Sequence, residues 1–264
     1  MQMHSPRGIA FLKPAALAHD TIRSGFSLRH GGVSNGVYHA LNLGLSGGDA
    51  RDSVIENRRR LFEKAGLPPD RLAIAGQVHG EKIAQVSEPG LFPGFDALVT
   101  RTPDLVLCIT AADCAVLLLA DHEARVVAAC HSGWRGTVAE IARRTVEAML
   151  DQGSQTRQIR AYISPSISTD HFEVGPEVAA EFPDQYVIER SDWTRPHVDL
   201  KHAIMDQLIQ TGIDASSIEM SARCTFSETH DFFSYRAENG ATGRMMGFIS
   251  LLGEDAPPID RASR

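Results

Sequence analysis

Short apolar runs of strand length, closely spaced through the middle of the chain, constrain its fold more than any other feature. Leu72–Ala75, Lys82–Val86, Ala97–Thr100, Leu105–Thr110, Ala115–Ala120 and Arg125–Ala129 read as strands, followed later by Ile159–Ile163, Ile218–Ala222, Phe232–Tyr235 and Phe248–Leu252. Helix-like stretches are fewer. Ser53-x-x-Glu56 resembles a capping box ahead of Leu61, Phe62 and Ala65, with Gly66 and Pro68 as stop signals. A second helix is expected over Thr137–Leu150, and a third over Asp199–Gln210 with Gly212 as its terminator. Strands outnumber helices, and the helices are not regularly interleaved. That pattern predicts an α+β chain, a mixed sheet covered by helices, rather than a regular doubly wound fold.

Composition narrows the class of function. The 264 residues are 43% hydrophobic and 22% charged, ordinary for a soluble globular protein. A net charge of −7 gives no general attraction to nucleic acid or to anionic membranes. No run approaches the roughly 18 apolar residues that a membrane span needs. The N-terminal residues carry no apolar segment of signal-peptide type. The four cysteines, Cys108, Cys114, Cys130 and Cys224, lack disulfide-framework spacing, so reduced thiols and a cytoplasmic location are expected. Residues 253–264, with Pro257-Pro258 and no apolar period, read as a flexible tail.

Three segments carry candidate chemistry. Gly76-Gln77-Val78-His79-Gly80, Thr110-Ala111-Ala112-Asp113-Cys114 and Cys130-His131-Ser132-Gly133-Trp134-Arg135-Gly136 each place an imidazole or a thiol where a strand meets a turn. A sheet can bring three such strand ends together. His79, Cys114 and His131 would then supply three protein ligands to a zinc ion and leave a fourth position for water or substrate. The same residues admit another reading, with Cys114 as a nucleophile activated by His79 or His131. They also admit a bland one, a buried cysteine and two satisfied histidines. Cys130 alternates with His131 along a strand, so it is expected to face the core, as is Cys108.

Other motifs carry less. Gly32-Val33-Ser34-Asn35-Gly36 fits a nucleophile elbow, but Asn35-Gly36 reads as a turn with no helix after it. His79-Gly80-Glu81 fits half of a deaminase zinc signature whose Pro-Cys-x-x-Cys half is missing. Arg29, Arg135, Arg236 and Arg244 lie beside glycines or polar turns and would suit an anion such as phosphate if they converge. Asn42 and Gln77 have the amides to bind a base or ribose, or to tie down a turn. Tyr38, Phe232, Phe233 and Tyr235 are read as core aromatics ahead of base-stacking groups.

Ordered blocks along the chain carry a family resemblance. They are Ser27-Leu28-Arg29-His30-Gly31-Gly32-Val33-Ser34, Leu41-Asn42-Leu43-Gly44, Glu56-Asn57-Arg58-Arg59, Gln77-Val78-His79-Gly80, Asp96-Ala97-Leu98-Val99-Thr100, Ala112-Asp113-Cys114, His131-Ser132-Gly133-Trp134-Arg135-Gly136 and Phe172-Glu173-Val174-Gly175. Cys224-Thr225, Phe232-Phe233-Ser234-Tyr235-Arg236 and Thr242-Gly243-Arg244 complete the set. Together they resemble the laccase-domain, or multicopper polyphenol oxidase-like, family, described as zinc-dependent purine nucleoside phosphorylases; some bacterial members are called peptidoglycan editing factors. The resemblance implies a single three-layer α/β/α catalytic domain over residues 1–252 with a mixed central sheet. It implies zinc on His79, Cys114 and His131, and a monomer. It also implies phosphorolysis of purine nucleosides (adenosine, inosine, with guanosine and methylthioadenosine as further candidates) together with adenosine deamination. Alternatives are an amidase acting on cytoplasmic peptidoglycan precursors and a non-enzymatic metal-binding protein. Copper is disfavoured, because multicopper chemistry needs many more clustered histidines. One block departs from the family pattern: Ser164-Pro165-Ser166-Ile167-Ser168 stands where Gly-Pro-x-Ile-Gly is common.

Overall fold

A computed structural model describes residues 8–253; apart from Gly253, the expected tail lies outside them. In chain order the strands are β1 Phe11–Leu12, β2 Ile22–Ser27, β3 Leu72–Gly76, β4 Ile83–Gln85, β5 Gly90–Pro93, β6 Ala97–Thr100, β7 Val106–Ala111, β8 Ala115–Asp121, β9 Val126–Ser132, β10 Arg160–Ile163, β11 Val187–Ile188, β12 His197–Val198, β13 Ile218–Met220 and β14 Met245–Leu251. The α-helices are α1 Arg51–Ala65, α2 Trp134–Val138, α3 Ile141–Asp151, α4 Pro176–Ala179 and α5 Leu200–Gln210.

The chain has the mixed α/β class and the small share of helix expected. Between the flanking helices, however, the sheet is double where one central sheet was expected. One six-stranded sheet runs β1-β2-β14-β7-β3-β5 and the other β13-β10-β8-β9-β6-β4, each with parallel and antiparallel pairs; β11 and β12 form a small ribbon. The reason lies in β8 and β9, every residue of which is buried. Both faces of such strands need cover. Val116, Leu118, Val127 and Ala129 meet Leu107, Ile109 and Ile249 of the first sheet. Their alternating neighbours Leu117, Leu119, Ala128 and Cys130 pack with Ile141, Val146, Ile204 and Leu208 of α3 and α5. A third core joins Leu61 and Phe62 of α1 to Val106, Cys108 and Phe248 on the outer face of the first sheet. The layers therefore run helix, sheet, sheet, helix.

Local departures have local causes. The helix expected at a Ser53 cap starts earlier, at Arg51 behind Ala50, so Ser53 and Glu56 lie inside it and Glu56 pairs with Arg59 and Arg60 at 2.8 and 2.6 Å. The helix expected over Thr137–Leu150 is broken into α2 and α3 by Glu140, whose φ is 59°. Gln207 of α5 donates to the Thr137 carbonyl at 2.7 Å, taking an acceptor that a continuous helix would use for its own ladder. Asp199 caps α5 as its side chain accepts from the His202 amide. Phe232–Tyr235 is a turn and not a strand: both phenylalanines are fully buried, while the Ser234 amide donates to Glu238 at 3.0 Å. β2 escapes the sequence pattern through Gly25, where a Cβ would lie 2.6 Å from the rings of Phe11 and Phe248.

The topology places the site. β3 and β7 lie side by side and parallel in the first sheet, and the Ala112–Cys114 link carries the chain from the end of β7 across to β8 in the second. β9 ends beside the start of β8, with His131 opposite Val116.

Candidate metal centre

His79, Cys114 and His131 converge at this end of the sandwich. Their donor atoms all lie within 4.8 Å of one another, and no other group of three or more His, Cys, Asp or Glu side chains among the described residues does the same. The two imidazoles stand edge to face, with centroids 4.9 Å apart. His79 is exposed, Cys114 half-buried and His131 3% exposed. One side of the trio therefore opens to solvent while the other is anchored in the core. Cys130 and Cys108 sit in separate apolar cores, as expected.

Each of the three side chains is held by a specific local device. His79 adopts a left-handed backbone, φ 59°, in the turn after β3. That conformation is uncommon for a residue with a side chain and needs outside support. The support is Asp96, fully buried just ahead of β6. Its Oδ2 accepts from the amides of Val78 (3.0 Å) and Gly80 (2.8 Å), and its Oδ1 accepts from the His79 amide at 3.0 Å. The same Oδ1 takes the Nδ1 proton of His131 at 2.8 Å. An ionised carboxylate only accepts, so His131 carries its proton on Nδ1 and presents Nε2. Cys114 follows Asp113, whose φ is 85°. The Asp113 carboxylate accepts from the Thr225 hydroxyl (2.6 Å) and the Arg236 amide (2.7 Å), and its carbonyl accepts from the Ile167 amide at 2.9 Å.

Electrostatics suit the thiolate form. Burial by itself pushes the Cys114 thiol up, but His131 and His79 outweigh it and bring it down from 9.0 to about 6. Burial lowers His131, and the Cys114 thiolate and Asp96 more than restore it, raising it to about 9. Burial also works against the Asp96 carboxylate, yet His131 and the Gly80 and Val78 amides hold it below its ordinary value. Cys108 and Cys130, buried without such partners, are pushed up to about 12. A thiolate and two imidazoles, one with its tautomer set, fit a borderline-soft divalent ion bound at roughly 2.0–2.3 Å.

The trio faces a cavity of about 910 Å³. Its wall includes Arg51, Arg58, Arg236 and Arg244 but only one carboxylate, Asp113, whose two oxygens are already engaged as above. Arg58 is fastened to the Leu43 carbonyl by Nε (2.9 Å) and Nη2 (2.7 Å). Burial chiefly, with the neighbouring Arg51 charge adding to it, lowers its pKa. Ile167, Phe172, Tyr235 and Leu91 give the cavity apolar and aromatic surface.

The residues expected to bind substrate are divided. Gln77, Arg236 and Arg244 line the cavity, although both ends of the Gln77 amide are taken by Thr110, at 2.8 and 2.9 Å. Asn42 is buried behind the wall, where its Oδ1 accepts from the Arg244 amide at 2.8 Å and so positions that arginine. Arg29 does not line the cavity: its guanidinium is spent on the carbonyls of His39 and Thr229 and on Glu238, over the Phe233 ring. Arg135 is exposed outside the lining and stacks on Trp134 at 4.1 Å. Arg51, Arg58 and Asp96 were not foreseen. Arg51 and Arg58 are seven apart on α1, a spacing that puts them on one helix face. In the departing segment, Ser164 is buried and accepts from the Val116 amide at 2.9 Å, and Ile167 still reaches the cavity.

Comparison with known proteins adds independent findings. A family model described as multi-copper polyphenol oxidoreductase laccase matches residues 23–252. A protein of Deinococcus radiodurans named purine nucleoside phosphorylase is 42% identical over 248 residues, covering 92% of this chain and 94% of that one. A protein named adenosine deaminase RL5, from an unknown prokaryotic organism, is 34% identical over 236 residues, 83% of this chain and 90% of its own. The crystal structure of YlmD from Geobacillus stearothermophilus superposes with a TM-score of 0.86 at 32% identity, over 95% of this chain and 98% of that one.

Proposed function

Because this chain belongs to the multi-copper polyphenol oxidoreductase laccase family, and because relatives in it bear purine-enzyme names, we propose that it is a zinc-dependent purine nucleoside phosphorylase with adenosine deaminase activity. It acts on adenosine and inosine, with guanosine and methylthioadenosine as further substrates, as a cytoplasmic monomer. The observation that carries this reading is the pairing of one His-Cys-His cluster with a cavity wall rich in arginine and free of unengaged carboxylate. Such a wall suits an anionic co-substrate. The apolar surface of Ile167, Phe172 and Tyr235 suits a purine. The lining runs from Gly44 to Arg244, which supports reading residues 1–252 as one catalytic domain. No helix among the described residues is long and apolar enough to cross a membrane, and all four cysteines are free thiols.

In this reading His79, Cys114 and His131 hold the zinc, which when bound supplies Lewis-acid polarisation of a substrate oxygen or of water. Arg51, Arg58 and Arg244 take the phosphate charge and orient one of its oxygens toward the ribose C1′. The C1′–N9 bond breaks as the C1′–O bond forms; its electron pair leaves on the base, which takes up the proton of hydrogen phosphate, giving the free base and ribose 1-phosphate. Arginine charge balances the phosphate as it approaches the electron-poor C1′. For deamination, water adds at C6 of adenosine and ammonia leaves, giving inosine in the same cavity.

The test is turnover by zinc-loaded protein. Inosine with phosphate should give hypoxanthine and ribose 1-phosphate, and adenosine without phosphate should give inosine. Loaded protein that performs neither conversion overturns the reading.

A further inference from the structure

We propose that Asp96 is a positioning residue for the metal site, a single carboxylate that presets two of the three ligands before any ion arrives. The inference rests on reading His79, Cys114 and His131 as metal ligands. Its basis is the division of labour between the two oxygens. Oδ1 receives the Nδ1 proton of His131 and the His79 amide; Oδ2 receives the Val78 and Gly80 amides. Asp96 is 0% exposed, so bulk water does not compete for its two oxygens. His131 lies on β9 and His79 in the turn after β3, on different sheets. Asp96 is the common acceptor that ties one to the other.

Two consequences follow. The ring of His131 is kept with its Nδ1–H on the carboxylate and Nε2 turned away from it, the nitrogen left to a metal. The turn that carries His79 is kept in its left-handed conformation by three amide hydrogen bonds, so the position of His79 is fixed by the backbone and not by the ion. A carboxylate has the geometry for this and an amide does not. In Asp96→Asn one oxygen becomes an NH₂ donor. Turned one way, it faces the Val78 and Gly80 amides, donor against donor. Turned the other way, it faces the His79 amide and drives His131 to the opposite tautomer. Either orientation breaks one ligand's support.

The experiment measures zinc affinity of stripped, full-length wild type, Asp96→Asn and Asp96→Glu by competition with a chromophoric chelator. The cobalt(II) spectrum of each and the ¹⁵N-detected tautomer of His131 in metal-free protein accompany it. Asp96→Asn should bind zinc roughly 10–100-fold more weakly, with an altered cobalt spectrum. Asp96→Glu, which keeps an acceptor-only group, should recover part of the loss. Metal-free wild type should already show His131 protonated at Nδ1 and slow exchange of the Val78, His79 and Gly80 amides, a readout that needs no variant to fold. Wild-type affinity in Asp96→Asn, or His131 without a proton on Nδ1 in the metal-free wild type, overturns the proposal while leaving the metal reading intact. Wild type that binds no zinc overturns both.

Discussion

Gly133 stands against Cys114: a Cβ placed on Gly133 would lie 2.9 Å from the Cys114 sulfur. The same Cβ would come within 3.4 Å of His79 and 3.7 Å of His131, so this one hydrogen-only position abuts all three side chains of the cluster. Gly133 has φ −79° and ψ 177°, which any residue adopts, so its role is space and not backbone freedom. Gly133→Ala should fold, because its backbone conformation suits alanine and the close contact is with the Cys114 sulfur. It should bind zinc at least tenfold more weakly, since the sulfur or the turn must move. Chelator competition beside a thermal melt checks this, and an alanine variant that keeps wild-type metal affinity would show that the three donors do not share one ion.

Metal removal should lower stability. An ion that binds only the folded state at a hundredfold excess over its Kd adds about 2.7 kcal/mol. For a chain of 264 residues that is a shift on the order of 5–10 °C in Tm. Wild-type protein should therefore melt several degrees lower after treatment with a strong chelator and recover on adding zinc. Cys114→Ala, lacking the one sulfur ligand, should show little of this response. Equal zinc responses in the two proteins would remove Cys114 from the ligand set.

The three side chains that cluster were singled out in the sequence, and what was missed shares a cause. His79, Cys114 and His131 stand out because imidazole and thiol at strand ends are rare and chemically loud. Asp96 looks in sequence like an ordinary acid before a strand. Only its complete burial, and the amides it collects from a turn far away in sequence, give it a role. Arg29 misled for the opposite reason. Its neighbouring glycines suggest an open turn, but its guanidinium is consumed by backbone carbonyls. In the fold, the apolar strands were legible because burial drives both pattern and pairing. The doubling of the sheet was not, since continuous apolar runs report buried faces without saying whether a helix or a second sheet covers them. Phe232 and Phe233 carry strand propensity yet lie in a turn, where core packing outweighs local preference.

Arg51 separates function from stability. It is the first residue of α1, where the helix dipole disfavours a cation, and among the described residues no carboxylate pairs with it. Its guanidinium belongs to the cavity wall beside Arg58. Arg51→Ala should leave Tm unchanged or raise it slightly, while raising KM for phosphate about tenfold, at the low end for a lost charge-assisted hydrogen bond. KM for the nucleoside should move less. Steady-state kinetics with each substrate varied in turn give the answer, and a variant with unaltered phosphate dependence would place the anion elsewhere on the wall.

Acid should destabilise the fold in part through Asp231. Burial raises this carboxyl, but His30 at 2.8 Å and Arg223 at 2.5 Å outweigh it, and the folded pKa lies below the ordinary 3.8. A depressed carboxylate binds its proton more readily in the unfolded chain. Its contribution is therefore complete above the unfolded pKa, near 3.9, and is lost as pH falls through the lower folded value. The Asp231 carbonyl also accepts from the Arg29 amide at 2.9 Å, so this pairing fastens the turn before β14 to the segment after β2. Asp231→Asn removes the ionisation while keeping the size of the side chain. It should be less stable than wild type at pH 6, and the gap should narrow steadily from about pH 4 downward. Urea unfolding at a series of pH values measures it. Curves for the two proteins that run parallel through this range would mean that Asp231 is not held below its unfolded pKa.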